Sequence, residues 1–173
     1  EAPLYLVDPR RSLYKREPKM KVYPVTVVNL LGKYGDFETD SNSDGLADGW
    51  DQYRSSVASL SSTKTVIGSK SQYLLAQELD MGRSITGTYS TFSVFTVNQA
   101  YFVSLWAYST KPLYFTWVYS YMTPSQSFNL YGDKTPNQFN RHYGSLIPTN
   151  GAGLISFFYK ADNEYSDFEL WLD

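Results

Sequence analysis

Short stretches of apolar and aromatic residues follow one another from about residue 25 to the end of the chain. They are rich in Val, Ile, Tyr, Phe and Thr and are separated by Gly, Asn, Asp, Pro or Ser, a pattern typical of β-strands joined by turns. A helical period is not sustained in any segment. The predicted strands cover 25–31, 56–60, 64–67, 72–79, 88–96, 100–108, 113–121, 127–130, 140–147, 154–160 and 168–172. So many short strands predict an all-β fold, a two-sheet antiparallel β-sandwich or jelly roll.

Two of the predicted strands have an aromatic side. One side of the strand over 101–108 carries Tyr101, Val103, Leu105 and Ala107, and the other carries Phe102, Ser104, Trp106 and Tyr108. The strand over 113–121 places Phe115, Trp117, Tyr119 and Tyr121 on one side. An aromatic side of this size is either the core between the sheets or an exposed binding face, and the alternation leaves both open.

Residues 1–24 differ from the rest of the chain. Prolines at positions 3, 9, 18 and 24 exclude a long helix or a central strand, so the segment is predicted to be an extended arm. It is either a flexible terminus or an arm that docks on a neighbouring subunit. Apolar residues such as Leu4, Leu6 and Leu13 favour docking, because disordered tails usually lack them. The predicted organisation is an arm, 1–24, followed by one β-domain, 25–173.

The composition narrows the classes of function. The chain of 173 residues contains 16 Tyr, 10 Phe and 4 Trp but no Cys, which excludes disulfides, zinc–thiolate sites and thiol nucleophiles. The net charge of -2 lacks the positive footprint of an electrostatic nucleic-acid binder. Only 18% of the residues are charged, so a surface of Ser, Thr, Asn, Gln and Tyr is expected, which suits sugars or protein subunits. No apolar run is long enough to predict a membrane span.

An acidic loop at residues 40–51 is the strongest local signal for a metal. Its oxygen-bearing positions match a twelve-residue calcium loop, with Gly45 at the sharp turn. The predicted ligands are Asp40, Asn42, Asp44, the main-chain carbonyl of Leu46, Asp48 and Asp51. Ca²⁺ requires six to eight hard oxygens around one point, and carboxylates so close together repel one another unless a cation lies among them. The alternative is a loop of Asx turns without metal. The form DxNxDGxxDxxD resembles the thrombospondin type 3 calcium repeats, here as one copy.

Five segments, taken in order, resemble the carbohydrate-binding-module-like jelly rolls of families 4, 9 and 22. They are NLL with GDFE over 29–38, GW over 49–50, YFVSLWAY over 101–108, QFNRHY over 138–143, and the closing pair LISFFY and DFELWLD over 154–173. The resemblance covers about 29–173 and implies a two-sheet jelly roll that binds carbohydrate. Such domains also occur in bacteriophage tail and virion proteins.

The resemblance also implies a second metal site. Members of these families commonly hold a structural calcium with the Glu of GDFE and an Asp of the last strand, and the matching residues are Glu38 and Asp173. Alternatively, Glu38 is a solvated residue and Asp173 a chain end. Two departures from the family pattern stand out: Phe139 occupies a position that is often Trp, and the acidic insert is not a general family feature.

A carbohydrate-binding face would stack the CH side of a pyranose on aromatic rings, with polar groups at the rim. The candidate ligand-binding residues are Trp106, Tyr108, Trp117, Tyr119 and Tyr121. Aromatic residues of central strands are, however, more often core. A set of tyrosines that includes Tyr131 and Tyr143 could instead form a subunit interface, since Tyr is favoured there.

Catalysis has little support, because His142 is the only histidine and no nucleophile elbow is present. His142 is expected to be a core or surface histidine. The sequence therefore predicts a non-catalytic, calcium-stabilised module that binds a glycan or polysaccharide. The alternative is a structural subunit of a virion or other extracellular assembly, of the phage tail or capsid decoration type, that forms a homo-oligomer or larger assembly through residues 1–24. Either interpretation places the protein outside the cell or on a virion surface.

Overall fold

The structure, a computed structural model, describes residues 29–53, 57–76, 85–90, 96–120, 126–147, 155–161 and 167–173. The predicted arm over 1–24 lies outside the described residues, and so does the subunit contact proposed for it. In the described part, no helix has the length and apolar character needed to cross a membrane.

The described chain is built of antiparallel strands in two five-stranded sheets. The strands are β1 (Asp51–Tyr53), β2 (Val57–Ser61), β3 (Ser71–Ala76), β4 (Ile85–Ser90), β5 (Tyr101–Ser109), β6 (Leu113–Ser120), β7 (Gln126–Asn129), β8 (Phe139–Leu146), β9 (Ile155–Ala161) and β10 (Phe168–Leu172). Sheet 1 has the order β1-β4-β9-β6-β7, and sheet 2 has the order β2-β3-β10-β5-β8. This confirms the predicted all-β, two-sheet antiparallel β-sandwich.

The core lies between the two sheets. Alternate residues of β5 and β10 point into it from sheet 2, and alternate residues of β9 enter from sheet 1. Val103, Leu105 and Ala107 are buried, so the side of β5 that carries them faces the core, a choice that the alternation had left open. The opposite side of β5, which begins with Phe102, therefore faces outward on sheet 2.

His142 lies in this core and is fully buried. Its ring packs against that of Tyr159 with centroids 5.6 Å apart, and its Nε2 lies 2.8 Å from the main-chain oxygen of Asp133. The Nδ1 of His142 and the hydroxyl of Tyr159 lack hydrogen-bond partners among the described residues. Of the two expected positions, core and surface, the structure places His142 in the core.

Two predicted strands do not appear as strands where the structure describes them, and the strand predicted over 88–96 begins earlier, at Ile85. Residues 64–67 form part of an irregular β2–β3 loop, because carboxylates from outside the loop accept its main-chain N–H groups. Of the predicted strand 25–31, positions 25–28 lie outside the described residues. Asn29 accepts a bond from the N–H of Leu31 in an Asx turn that precedes a 3-10 helix, Gly32–Gly35. The sequence pattern did not predict this helix or the three-residue β1.

Candidate functional site

The outer face of sheet 2 carries a row of aromatic rings that crosses four strands. Strand register places Tyr73, Trp171, Tyr108 and Phe139 side by side on β3, β10, β5 and β8. Neighbouring ring centroids along this transverse row are 4.9, 5.3 and 5.6 Å apart. The Tyr73 hydroxyl donates to Glu169 at 3.0 Å. Burial and this bond raise the pKa of Tyr73 to about 12, so the hydroxyl remains a donor at neutral pH.

The β2–β3 loop covers part of the transverse row. The Lys64 ammonium lies 4.7 Å from the ring centroids of both Tyr108 and Trp171, and Trp171 is only 6% exposed. The indole N–H of Trp171 also donates to the hydroxyl of Ser61 at 3.3 Å. A cation over two ring faces is a favourable cation–π arrangement, so this part of the row is closed by the chain itself.

Two carboxylates hold the β2–β3 loop in place. Asp173 accepts from the N–H groups of Val66 and Ile67 at 2.5 and 3.0 Å. Glu38 accepts from the N–H and hydroxyl of Ser69, both at 2.6 Å. Hydrogen bonds from Ser69 lower the pKa of Glu38 below its usual value. These are the residues of the second predicted metal site. In the structure they bind main-chain donors of one loop, and the metal site stays a prediction.

A second aromatic group on the same face is open. Phe102, Tyr131 and Tyr143 are 64%, 69% and 41% exposed and form what we call the open cluster. The ring centroids of Phe102 and Tyr143 lie 6.1 Å apart, and those of Tyr131 and Tyr143 lie 6.0 Å apart. Main-chain bonds of 2.8 and 2.9 Å between Tyr131 and Tyr143 fix their separation.

Gly132 allows Tyr131 to lie beside β8. Its φ of +135° lies where L side chains are rarely found, and a Cβ there would meet the main-chain oxygen of Arg141 at 2.3 Å. A larger residue at 132 would therefore push this segment, with Tyr131, away from the sheet. The open cluster thus depends on the close approach of Gly132 to the main chain of Arg141.

Arg141 lies beside the open cluster on β8. Its side chain is exposed, its guanidinium carbon lies 5.9 Å from the Phe102 centroid, and its Nη2 donates to the hydroxyl of Ser104 at 3.1 Å. Trp106 is in register with Arg141 and is half-buried. The open cluster and its neighbours Ser104 and Arg141 thus offer ring faces, a hydroxyl and a cation, which are the groups that a polar ligand with an apolar side needs.

The structure divides the predicted ligand-binding residues between two sheets. Trp106 and Tyr108 lie on the outer face of sheet 2, half-buried. In sheet 1 the positions of Trp117 and Tyr119 pair with Phe158 and Ser156 of β9. The alternate β9 residues belong to the core, and Tyr121 lies outside the described residues. The four candidates whose positions are described therefore lie in two different sheets.

The open cluster includes a ring that the sequence reasoning did not select as a ligand contact. The alternation of β5 places Phe102 on the same side as Trp106 and Tyr108, and this is the signal that the sequence offers for it. The sequence does not show that Phe102 is exposed, because the exposure depends on which rings the β2–β3 loop covers. Lys64 of that loop lies over Tyr108 and Trp171, and Phe102 is 64% exposed. Tyr131 and Tyr143 had been considered for a subunit interface.

The acidic loop adopts the Asx turns that were the alternative to calcium. Asp40 accepts from the N–H groups of Asp44 and Gly45 at 3.2 and 3.0 Å, and Asp44 accepts from that of Leu46 at 2.8 Å. The side chain of Asn42 donates to Asp44 at 2.7 Å. Asp40, Asn42 and Asp44 therefore lie close together in the loop, as the metal hypothesis requires.

The remaining predicted ligands lie farther along the loop. Asp48 accepts from the N–H and hydroxyl of Ser41 at 2.8 and 2.7 Å, and these bonds lower the pKa of Asp48. Leu46 is buried, and the exposed Asp51 begins β1. In the described ranges, no three His, Cys, Asp or Glu side chains converge as a metal site requires. The oxygen donors nevertheless suit Ca²⁺ chemically, and the site stays a prediction.

Gly45 makes the predicted sharp turn. Its φ is +88°, and a Cβ would meet the main-chain oxygen of Ala58 in β2 at 2.4 Å. The loop is therefore packed against sheet 2 at this point, and only glycine fits.

Gln72 joins the acidic loop to sheet 2. Its side chain is fully buried and accepts from the N–H of Ala47 at 2.7 Å, while its amide donates to the main-chain oxygens of Gly45 and Ser59 at 3.0 and 3.2 Å. Trp50, also buried, packs against Phe37 and Phe157 with centroids 5.3 and 5.9 Å apart. The loop thus closes one end of the core.

No family model matches the sequence, and no curated protein matches it. Solved structures do match the fold. The CBM22-2 xylan-binding domain of Paenibacillus barcinonensis Xyn10C aligns with a TM-score of 0.57 and 11% identity over 80% of this chain and 95% of that domain. TmCBM61, solved with β-1,4-galactotriose, aligns at 0.54 and 14% identity over 85% of this chain and 99% of its own.

A third structure contains a catalytic module as well. The CBM22-1–GH10 modules of Clostridium thermocellum Xyn10B, solved with xylohexaose, align at a TM-score of 0.54 and 15% identity over 72% of this chain. The match covers 25% of that longer chain. At these identities the likenesses establish the fold, which is that of a carbohydrate-binding-module β-jelly roll.

Proposed function

We propose that this chain is a non-catalytic, extracellular glycan-binding module whose ligand lies on the open cluster of sheet 2. The observation that carries the proposal is the grouping of three exposed rings beside Ser104 and Arg141. The ring centroid of Tyr143 lies 6.1 Å from that of Phe102 and 6.0 Å from that of Tyr131. Contiguous patches of exposed apolar side chains usually mark binding sites, so this grouping of rings indicates one.

The chemistry of the cluster suits a sugar. The CH groups of a pyranose face present apolar surface to the rings, while its hydroxyls bind groups at the rim such as the Ser104 hydroxyl and the Tyr131 hydroxyl. The xylan-binding and galactotriose-binding structures that share the fold support a saccharide ligand for this chain. The described residues support binding rather than catalysis, since His142 is buried in the core.

Replacing Phe102 with Ala is expected to weaken glycan binding at least about tenfold, because one stacking surface of the open cluster is lost. The ligand is first found on a glycan array, and its affinity for the parent chain and the variant is then measured by isothermal titration calorimetry. The melting temperature should change little, since Phe102 is 64% exposed.

Leu30→Ala is the matched control, because Leu30 is an exposed apolar residue of the turn before the 3-10 helix, 50% exposed and outside sheet 2. Its affinity should equal that of the parent chain. An unchanged affinity in Phe102→Ala would contradict the proposed site, and no ligand on a broad array would contradict the proposed function.

We also propose that Ca²⁺ bound to the Asp40–Asp51 loop stabilises the fold. Ca²⁺ at about one hundred times its Kd would add about 2.7 kcal/mol to the free energy of unfolding. Addition of EDTA should therefore lower the melting temperature by roughly 5 to 10 °C for a domain of this size. The melting temperature of Asp44→Ala should no longer respond to calcium.

Asp133→Ala is the control for this test, because Asp133 also makes an exposed turn, accepting from the N–H and hydroxyl of Thr135 at 3.0 and 2.7 Å. This variant should keep the full response to calcium. A melting temperature of the parent chain that is the same in calcium and in EDTA would leave only the Asx-turn interpretation of the loop.

A further inference from the structure

The guanidinium of Arg141, beside the open cluster, has few hydrogen-bond partners among the described residues. A guanidinium has five N–H donors in a planar fork. Within the described ranges, the hydrogen bond that Arg141 makes is the one from Nη2 to the neutral hydroxyl of Ser104, and no carboxylate pairs with it. Most of its donors therefore point to solvent beside the ring of Phe102, which lies 5.9 Å from the guanidinium carbon.

The carboxylates of the same face are already bound to other groups. Asp173 accepts from two main-chain N–H groups of the β2–β3 loop, and Glu169 accepts from the Tyr73 hydroxyl. Asp133, near the open cluster in sequence, accepts from Thr135. Among the residues that the structure describes, Arg141 thus has no neighbouring acid to neutralise it, although the whole chain has a net charge of -2.

We propose that the ligand of the open cluster is an acidic glycan whose sugar rings carry carboxylates, that is, a uronic acid chain. This inference rests on the proposed glycan-binding function and names the class of its ligand. A planar carboxylate accepts two parallel hydrogen bonds from the guanidinium fork. Neither a sugar hydroxyl in place of the carboxylate nor an ammonium in place of the guanidinium can form this pair. A pyranose stacked on Phe102 and Tyr143 has Arg141 at its edge, where a ring carboxylate would accept these bonds.

The test uses the full chain and two ligands that differ in charge, trigalacturonate and its methyl ester. Isothermal titration calorimetry should give at least about tenfold tighter binding of the acid, the difference expected for a bidentate charge-assisted pair. Arg141→Gln should remove this difference, whereas Arg141→Lys should retain part of it. Raising the salt concentration should weaken binding of the acid but not of the ester. Lys33→Gln is the control, because Lys33 is an exposed cation of the 3-10 helix.

Each result has a distinct meaning. Equal affinity for acid and ester, or a preference for the acid that persists in Arg141→Gln, overturns the inference while the proposed function stands. Failure to bind either ligand, together with binding of a neutral glycan that is lost in Phe102→Ala, overturns the inference alone. Failure to bind any glycan overturns both. A dimer in sedimentation velocity that Phe102→Ala dissociates would show that the cluster binds a second copy, and this too overturns the inference.

Discussion

Replacing Gln72 with Leu is expected to lower the free energy of unfolding by about 3 kcal/mol, the largest single effect that we anticipate. The side chain is fully buried, and three of its partners are main-chain groups of other segments: the N–H of Ala47 and the oxygens of Gly45 and Ser59. Leu has a similar volume but leaves these groups without partners, and each unsatisfied buried group costs about 1–3 kcal/mol. Urea unfolding of the parent chain and the variant measures the difference.

Gln138→Leu is the matched control, since Gln138 is exposed and, among the described residues, its amide donates to one side chain, that of Asn140, at 3.0 Å. Its free energy of unfolding should lie within about 0.5 kcal/mol of the parent value. If Gln72→Leu were equally mild, the acidic loop would not depend on Gln72 for its attachment to sheet 2, and the account of how the loop closes the core would be wrong.

Acidification below pH 6.5 is expected to destabilise the protein through His142. Burial lowers the pKa of His142 below its ordinary value of 6.5, the hydrogen bond with the Asp133 oxygen opposing this in part. The unfolded chain therefore binds a proton at a higher pH than the folded chain does. The stability contributed by neutral His142 is fully present above the unfolded pKa and is lost as the pH falls towards the folded pKa.

The slope in this window reaches about 1.4 kcal/mol per pH unit for one such group. Thermal unfolding is measured from neutral pH downwards for the parent chain and for His142→Phe, which keeps a ring against Tyr159 but cannot take up a proton. The parent chain should lose stability more steeply below pH 6.5 than the variant does. Parallel curves would mean that His142 does not titrate differently in the two states.

The strands could be predicted from the sequence where a buried side alternates with an outer side. β10 was predicted with its observed bounds, and β5 and β6 were each predicted within one residue. Residues 64–67 have the same local pattern but form a loop, since Asp173, more than a hundred positions away, accepts two of their N–H groups. No local rule predicts such a contact.

The candidate site could be predicted only in part, and for the same reason. Alternation placed Phe102, Trp106 and Tyr108 on one side of β5 but left open whether that side is core or external, and the structure shows that it is external. It could not show that Lys64 covers Tyr108 or that Tyr131 lies beside Tyr143, because both follow from segments distant in sequence. For the acidic loop, the spacing of the residues predicted the turn at Gly45. It did not predict that Gln72 attaches the loop to sheet 2.

Hydroxyl-radical footprinting of the full chain, with and without the glycan found on the array, tests the proposed binding face most directly. Mass spectrometry reports the oxidation of each aromatic residue, so the two sheets are read in one experiment. We predict that the ligand reduces the oxidation of Phe102, Tyr131 and Tyr143 on sheet 2 and leaves that of Trp117 and Tyr119 in sheet 1 unchanged. Protection of Trp117 and Tyr119 without protection of the open cluster would contradict it.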